Sequence, residues 1–200
     1  MNLIVLGGFL GSGKTSLLLS IAEYISGKEG AYATRLAIVE NEIGKVGIDD
    51  VIIRASGYSV RSLFSGCICC SLSGDLISTL NEISSTINPE WVIVETTGLA
   101  YPANICRKIQ DYADGIDSIL SIVVIDGQRW KIFVKSVPDL VRGQVESADV
   151  LLVNKCDLLN NETISMLHDE LSLINNKSEM FFVSAKKGIE HSVWTGIMHV

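Results

Sequence analysis

Two hundred residues, 48% of them apolar, suffice for one domain with a substantial core and exclude a disordered chain. Sixteen basic residues against 23 acidic ones give a net charge of −7 with no basic cluster, which argues against nucleic acid as a partner. No apolar run reaches the ~18–20 residues that span a bilayer. The N-terminus enters an apolar stretch with no basic leader, and the five cysteines are odd in number; together these predict a cytoplasmic chain with reduced thiols.

The first predicted strand, 3–7, carries Leu3-Ile4-Val5-Leu6 and runs into Gly8-Phe9-Leu10-Gly11-Ser12-Gly13-Lys14-Thr15. That is a complete G-x-x-x-x-G-K-[ST] phosphate loop, followed by a predicted helix over 14–26. A strand feeding a glycine loop that opens a helix aims backbone N–H groups at one point, where polyphosphate binds. Gly11, Ser12, Gly13 and Ser16 belong to that cradle, Lys14 reaches the β- and γ-phosphates, and the Thr15 hydroxyl binds Mg²⁺.

A strand over 35–40 follows, and then residues 41–72 break the alternation. Short apolar pieces (Val51-Ile52-Ile53, Tyr58-Ser59-Val60) lie among Gly, Asp and Ser, as in a switch region or functional insertion. Within it, Gly66-Cys67-Ile68-Cys69-Cys70 places three thiols in four residues. Thiolates suit Zn²⁺ and other soft or borderline ions far better than Mg²⁺, so Cys67, Cys69 and Cys70 are candidate metal ligands; redox or structural thiols are the alternative. Cys106 and Cys156 read as small apolar side chains.

A helix over 73–87 leads to a buried strand over 91–95, ending Glu95-Thr96-Thr97-Gly98. Glu95 can approach Mg²⁺ through water, and the Gly98 N–H can sense a γ-phosphate. Beyond a helix over 101–110, the strand over 119–125 delivers Asp126 to a C-terminal sheet edge, where it either orients the phosphate loop or caps the next helix. Helices over 128–135 and 138–147 precede a strand over 150–154, which opens into Asn154-Lys155-Cys156-Asp157. In this N-K-x-D pattern the Asp157 carboxylate accepts from guanine N1–H and the exocyclic amine; adenine offers neither donor, so GTP is favoured over ATP. Asn154 braces the loop and the Lys155 stem covers the base. A helix over 160–174 and a strand over 180–184 lead to Ser184-Ala185-Lys186, a further purine contact, and a last helix covers 188–197. The alternation predicts an α/β fold: a P-loop NTPase with a mostly parallel sheet and helices on both faces, one domain over 1–200.

These motifs, in this order and together with Glu40-Asn41-Glu42-Ile43-Gly44 and Gly47-Ile48-Asp49, resemble the CobW family of P-loop GTPases, relatives of the nickel-insertion GTPases of urease and hydrogenase. The resemblance covers roughly residues 1–190. It implies a GTP-driven metallochaperone or a maturation factor for a metal or cobalamin enzyme, which hydrolyses GTP slowly. It implies that Glu42 and Asp49 are switch residues near Mg²⁺, with Asp49 joining Lys14 and Glu95 in catalysis and Glu42 available as a metal carboxylate. It further implies a Cys67–Cys69–Cys70 metal site, for Zn²⁺ by default or Co²⁺ or Ni²⁺, a client metalloenzyme or cobalamin-dependent protein, and a GTP-dependent homodimer. The chain departs from the family at Lys45, often acidic there, and in ending at Val200, so a C-terminal cargo domain is expected to be absent or supplied by a partner. A regulatory GTPase acting by protein contact is the alternative function; a nucleotide kinase sharing the loop is disfavoured by Asn154 and Asp157.

Overall fold

The computed structural model describes residues 1–27, 36–40, 59–62 and 72–199. Glu42, Lys45, Asp49, Cys67, Cys69 and Cys70 lie outside the described residues, and so do the expectations placed on them.

Seven strands form one sheet: β1 (Asn2–Gly8), β2 (Leu36–Glu40), β3 (Ser59–Ser62), β4 (Trp91–Glu95), β5 (Ser118–Asp126), β6 (Val150–Asn154) and β7 (Glu179–Phe182). Their order is β3-β2-β4-β1-β5-β6-β7, and every neighbouring pair is parallel. Among the described residues the helices are α1 (Lys14–Ser26), α2 (Leu72–Thr86), α3 (Pro102–Tyr112), α4 (Trp130–Ser136), α5 (Pro138–Val145), α6 (Asn161–Ile174) and α7 (His191–Ile197), with a 3₁₀ turn over Cys156–Leu158.

The strands are apolar on both faces because both faces are covered. Along β1, Ile4 and Leu6 pack against Leu17, Leu18 and Ile21 of α1, with Trp194 and Ile197 of α7 in the same layer. Leu3 and Val5 point the other way, onto Leu80 and Ile83 of α2 and Ile109 of α3. Val123, Ile125, Leu151 and Val153 continue that second face under Trp130, Val141, Val145, Leu167 and Leu171. Each large aliphatic side chain buried in this way contributes roughly 1.5–3 kcal/mol. Trp194 further ties α7 to α1 by donating from Nε1 to Ser20 Oγ at 3.1 Å.

The expected elements are present, with several shifts, among them a last helix that begins at His191 rather than 188. β3 was not anticipated as a strand: its four residues hold a single apolar side chain, Val60, and it pairs only with β2 at the sheet edge. The helix expected from 128 begins at Trp130, because residues 127–129 form a turn in which the Arg129 N–H donates to Asp126 Oδ1 at 3.1 Å. The strand expected to reach 184 ends at Phe182; the Val183 N–H still donates to Val153 O, but Ser184 has turned into the following loop.

Candidate nucleotide site

The C-terminal ends of β1, β4, β5 and β6 lie side by side, and their loops carry the motif residues. This is where open parallel sheets bind ligands. After β1 the chain turns through Gly11 (φ +73°) and Gly13 (φ +99°), and α1 starts at Lys14. Gly13 must be glycine twice over: its φ is left-handed, and an added Cβ would collide with Asn154 Nδ2. The buried Lys14 donates from Nζ to Phe9 O at 3.3 Å, and the Thr15 hydroxyl stands 3.4 Å from both carboxylate oxygens of Glu95. Glu40, at the end of β2, is in register with Glu95 at the end of β4. The Ser12 hydroxyl is buried and has no partner among the described residues.

A cavity of about 880 Å³ opens in front of this loop. Gly11, Gly13, Lys14, Thr15 and Ser16 form one wall, Glu95 to Leu99 a second, and Ile132, Phe133, Ser136, Val137 and Leu140 an apolar third. Gly98 presses directly on the phosphate loop: a Cβ there would sit 2.7 Å from Leu10 N. Leu10, Leu99 and Ile132 stand 81%, 67% and 60% exposed around the mouth.

Asn154, Lys155, Asp157, Ser184 and Ala185 lie outside that lining, and Asn154 and Lys155 bond the phosphate loop beside it. Asn154 Nδ2 donates to Ser12 O at 2.8 Å, while its Oδ1 accepts from the N–H groups of Lys155 (2.8 Å) and Ala185 (3.0 Å). One side chain thus holds the phosphate loop, the loop after β6 and the loop after β7 together. Asp157 Oδ1 accepts from the Ser184 hydroxyl at 2.6 Å, which holds its carboxyl below the ordinary carboxylate range.

The fully buried Asp126 carboxylate settles its sequence alternatives in both senses. It caps the turn before α4, and it anchors two cations that grip the phosphate loop. Lys155 donates to Asp126 Oδ2 (2.6 Å) and to Gly11 O (2.8 Å). Arg129 donates from Nε to Asp126 Oδ2 (2.7 Å) and from Nη2 to Leu10 O (2.8 Å), with its guanidinium over the Phe133 ring. Burial alone would raise the Asp126 pKa; the hydrogen bonds from Lys155 and Arg129 outweigh it and hold the group below its ordinary value. Lys155 itself takes a left-handed φ of +66°, a strained conformation secured by these bonds. The role of Arg129 had no sequence signal, since a lone arginine after a strand reads as surface charge.

Cys106 packs into the core beside α2, and burial pushes its thiol up to about 11, consistent with an inert apolar side chain. His168, His191 and His199 are exposed. Among the described residues, no group of three or more His, Cys, Asp or Glu is placed to hold a metal ion, and no helix is long and apolar enough to cross a membrane.

A glycine phosphate loop on the first strand of a parallel sheet, bonded to an N-K-x-D loop two strand positions along, defines a P-loop nucleotide-binding fold. The chain belongs to the CobW/HypB/UreG family: the model of that family's nucleotide-binding domain matches residues 2–182. It is 30% identical to the zinc chaperone YjiA of Escherichia coli over 90% of this chain and 56% of the relative. It is 31% identical to the zinc-regulated GTPase metalloprotein activator 1 of Schizosaccharomyces pombe over 86% of this chain and 43% of the relative. The chain therefore spans about half the length of the curated relatives it matches. Among solved structures, the hydrogenase maturation factor HypB of Archaeoglobus fulgidus superposes with a TM-score of 0.68 at 18% identity, over 100% of this chain and 89% of that one.

Proposed function

We propose that this chain binds GTP with Mg²⁺, hydrolyses it to GDP and phosphate, and uses the nucleotide state to control a thiophilic metal, Zn²⁺ by default, held by Cys67, Cys69 and Cys70. The observation that carries the nucleotide half is the Asn154 bridge, which ties the N-K-x-D loop to the phosphate loop and so supports one ligand spanning both. The residues fit Mg-GTP. The left-handed Gly11 and Gly13 leave room for phosphate against backbone N–H groups, and Lys14 supplies the charge. The Thr15 hydroxyl lies 3.4 Å from the Glu95 carboxylate, so a hard cation bound directly by the hydroxyl would have the carboxylate within reach of its bound water. Asp157, braced by Ser184, accepts the guanine donors.

Mg²⁺ would neutralise the charge that develops on the phosphates; the chain's own part is positioning. Lys14 holds the β- and γ-phosphates, Glu95 orders water at the metal, and Gly98 offers an N–H to the γ-phosphate. Asp49 and Glu42 are assigned to the same switch by the family motif. Hydrolysis should be slow, because no motif here supplies an arginine finger. The metal half is supported by the relatives named as zinc chaperones, and by thiol chemistry that works in the cytoplasm, where cysteines stay reduced.

The exposed Leu10, Leu99 and Ile132 around the cavity mouth favour a protein contact on this face. A second copy pairing there in the GTP state is one partner, and a client metalloenzyme or cobalamin-dependent protein is the other. If the thiols hold no metal, gating of a client by this contact is the function that remains.

Phosphate release from GTP and from ATP, measured for the full chain and for Lys14→Ala, tests the nucleotide half. Turnover of GTP well above ATP, lost in Lys14→Ala, is expected. Equal turnover of the two nucleotides, or an unaffected variant, would contradict it.

A further inference from the structure

Gln144 is a buried polar side chain among the described residues with no role in the site described above. It is only 1% exposed, on the last turn of a helix otherwise packed by Val141 and Val145. Its Nε2 donates to two main-chain carbonyls, Ala100 O at 2.7 Å and Gly98 O at 3.2 Å. Its Oε1 is buried with no partner among the described residues. Burying an amide with its acceptor unmet costs free energy, so the two donated bonds must hold something that matters.

What they hold is the loop after β4. In that loop the Ala100 N–H donates to Thr97 O at 3.1 Å, which fixes the peptide between Thr97 and Gly98. Gln144 fixes the next plane, between Gly98 and Leu99, through Gly98 O, and the plane between Ala100 and Tyr101, through Ala100 O. Because C=O and N–H are opposed across a trans peptide, both sides of Gly98 are then set. The same helix touches the loop again one residue earlier, where a Cβ on Gly143 would collide with the Tyr101 ring. Gly98 in turn abuts Leu10 of the phosphate loop. The loop cannot move toward or away from the phosphates without either breaking the Gln144 bonds or carrying α5 with it. That helix leads directly to β6, and its Val145 carbonyl is held by Asn175 Nδ2 at 2.9 Å.

We propose that Gln144 is a positioning residue that fixes Gly98 for the γ-phosphate and makes α5 move with the loop when the γ-phosphate leaves. This rests on the GTP site proposed above. The Gln144 Oε1 is the acceptor left free for an N–H of the loop once it shifts. No step of the chemistry passes through Gln144, so its effect falls on the difference between GTP and GDP states rather than on nucleotide binding as such.

The test uses the full chain and three proteins: wild type, Gln144→Met, which keeps the volume and removes both donors, and Gln144→Glu, which turns acceptor oxygens toward two carbonyls. The measurements are GDP affinity, affinity for a non-hydrolysable GTP analogue, and turnover. The inference expects Gln144→Met to keep GDP affinity and to lose about ten-fold in both analogue affinity and kcat, the equivalent of two neutral hydrogen bonds. Gln144→Glu should lose more. Equal weakening of GDP and analogue, or no change in either, would overturn it. A wild type that binds neither nucleotide would instead overturn the GTP site, so the two failures are distinguishable. Should both variants fail to fold, amide hydrogen exchange on the wild type decides: residues 98–101 and 141–145 must change protection together between analogue and GDP, and a change in the loop alone contradicts the coupling.

Discussion

In the proposed site, Asp157 discriminates between purines by what it leaves unpaired. A carboxylate braced on one oxygen by Ser184 meets two donors on guanine and none on adenine. Asp157→Asn puts an amide donor against those donors, so GTP affinity should fall on the order of a hundred-fold, with xanthine nucleotide becoming the better ligand. Titration with GTP and XTP checks this, and an unchanged preference for GTP would remove Asp157 from the base site. Asp126 makes an acid-side prediction. Its pKa is depressed in the folded protein, so its stabilisation is fully present above the ordinary carboxylate value of about 4 and is lost as pH falls through the lower folded value. Between about pH 5 and pH 2, Asp126→Asn should therefore lose stability less steeply than the wild type, as read from urea midpoints, while being about 1–2 kcal/mol less stable at neutral pH, a small figure because Lys155 and Arg129 are partly in solvent. Parallel pH profiles would show that the two cations do not depend on this carboxylate.

At the scale of elements, α7 tests which parts of the fold serve stability alone. It lies beyond the family match, yet Trp194 is 2% exposed against α1 and bonded to Ser20. Trp194→Ala should cost about 3–5 kcal/mol, on the order of 10 °C in Tm for a chain of this size, with nucleotide affinity at 20 °C unchanged. A matching loss of affinity would mean that α7 supports the phosphate loop through α1. The same elements show why much of this fold is legible in sequence. Buried parallel strands such as Val150-Leu151-Leu152-Val153 are apolar on both faces, and Gly13-Lys14-Thr15 marks the start of α1 without any periodicity argument. β3 escapes because an edge strand of Ser59-Val60-Arg61-Ser62 has almost no apolar pattern to detect. The loops of the site are legible where a motif names them, as at Asn154. They are not legible where a generic side chain is recruited from a distant element: Gln144 lies 46 positions from Gly98, and Arg129 lies 119 from Leu10. Such partners are fixed by the tertiary approach of two loops, and a single sequence carries no record of it.

For the whole molecule, the account is one of linkage. A sheet of parallel strands brings the loops of the proposed phosphate and base sites to one edge, and in sequence the segment between β2 and α2 runs from that edge through Cys67, Cys69 and Cys70. If the γ-phosphate orders the segment, the thiols must change affinity with nucleotide state, and by reciprocity the metal must tighten GTP binding by the same factor. Thiolate ligation displaces protons, so metal affinity also falls as pH drops below the thiol range. The most direct measurement is a competition titration of Zn²⁺ against the full chain loaded with Mg²⁺ and either a non-hydrolysable GTP analogue or GDP, repeated on Cys67→Ser, Cys69→Ser and Cys70→Ser. The account predicts tighter Zn²⁺ binding in the GTP-analogue form, with affinity lost in at least two of the three variants, Cys67→Ser and Cys69→Ser foremost. Identical Zn²⁺ affinity in the two nucleotide forms, or wild-type affinity in all three variants, would contradict it.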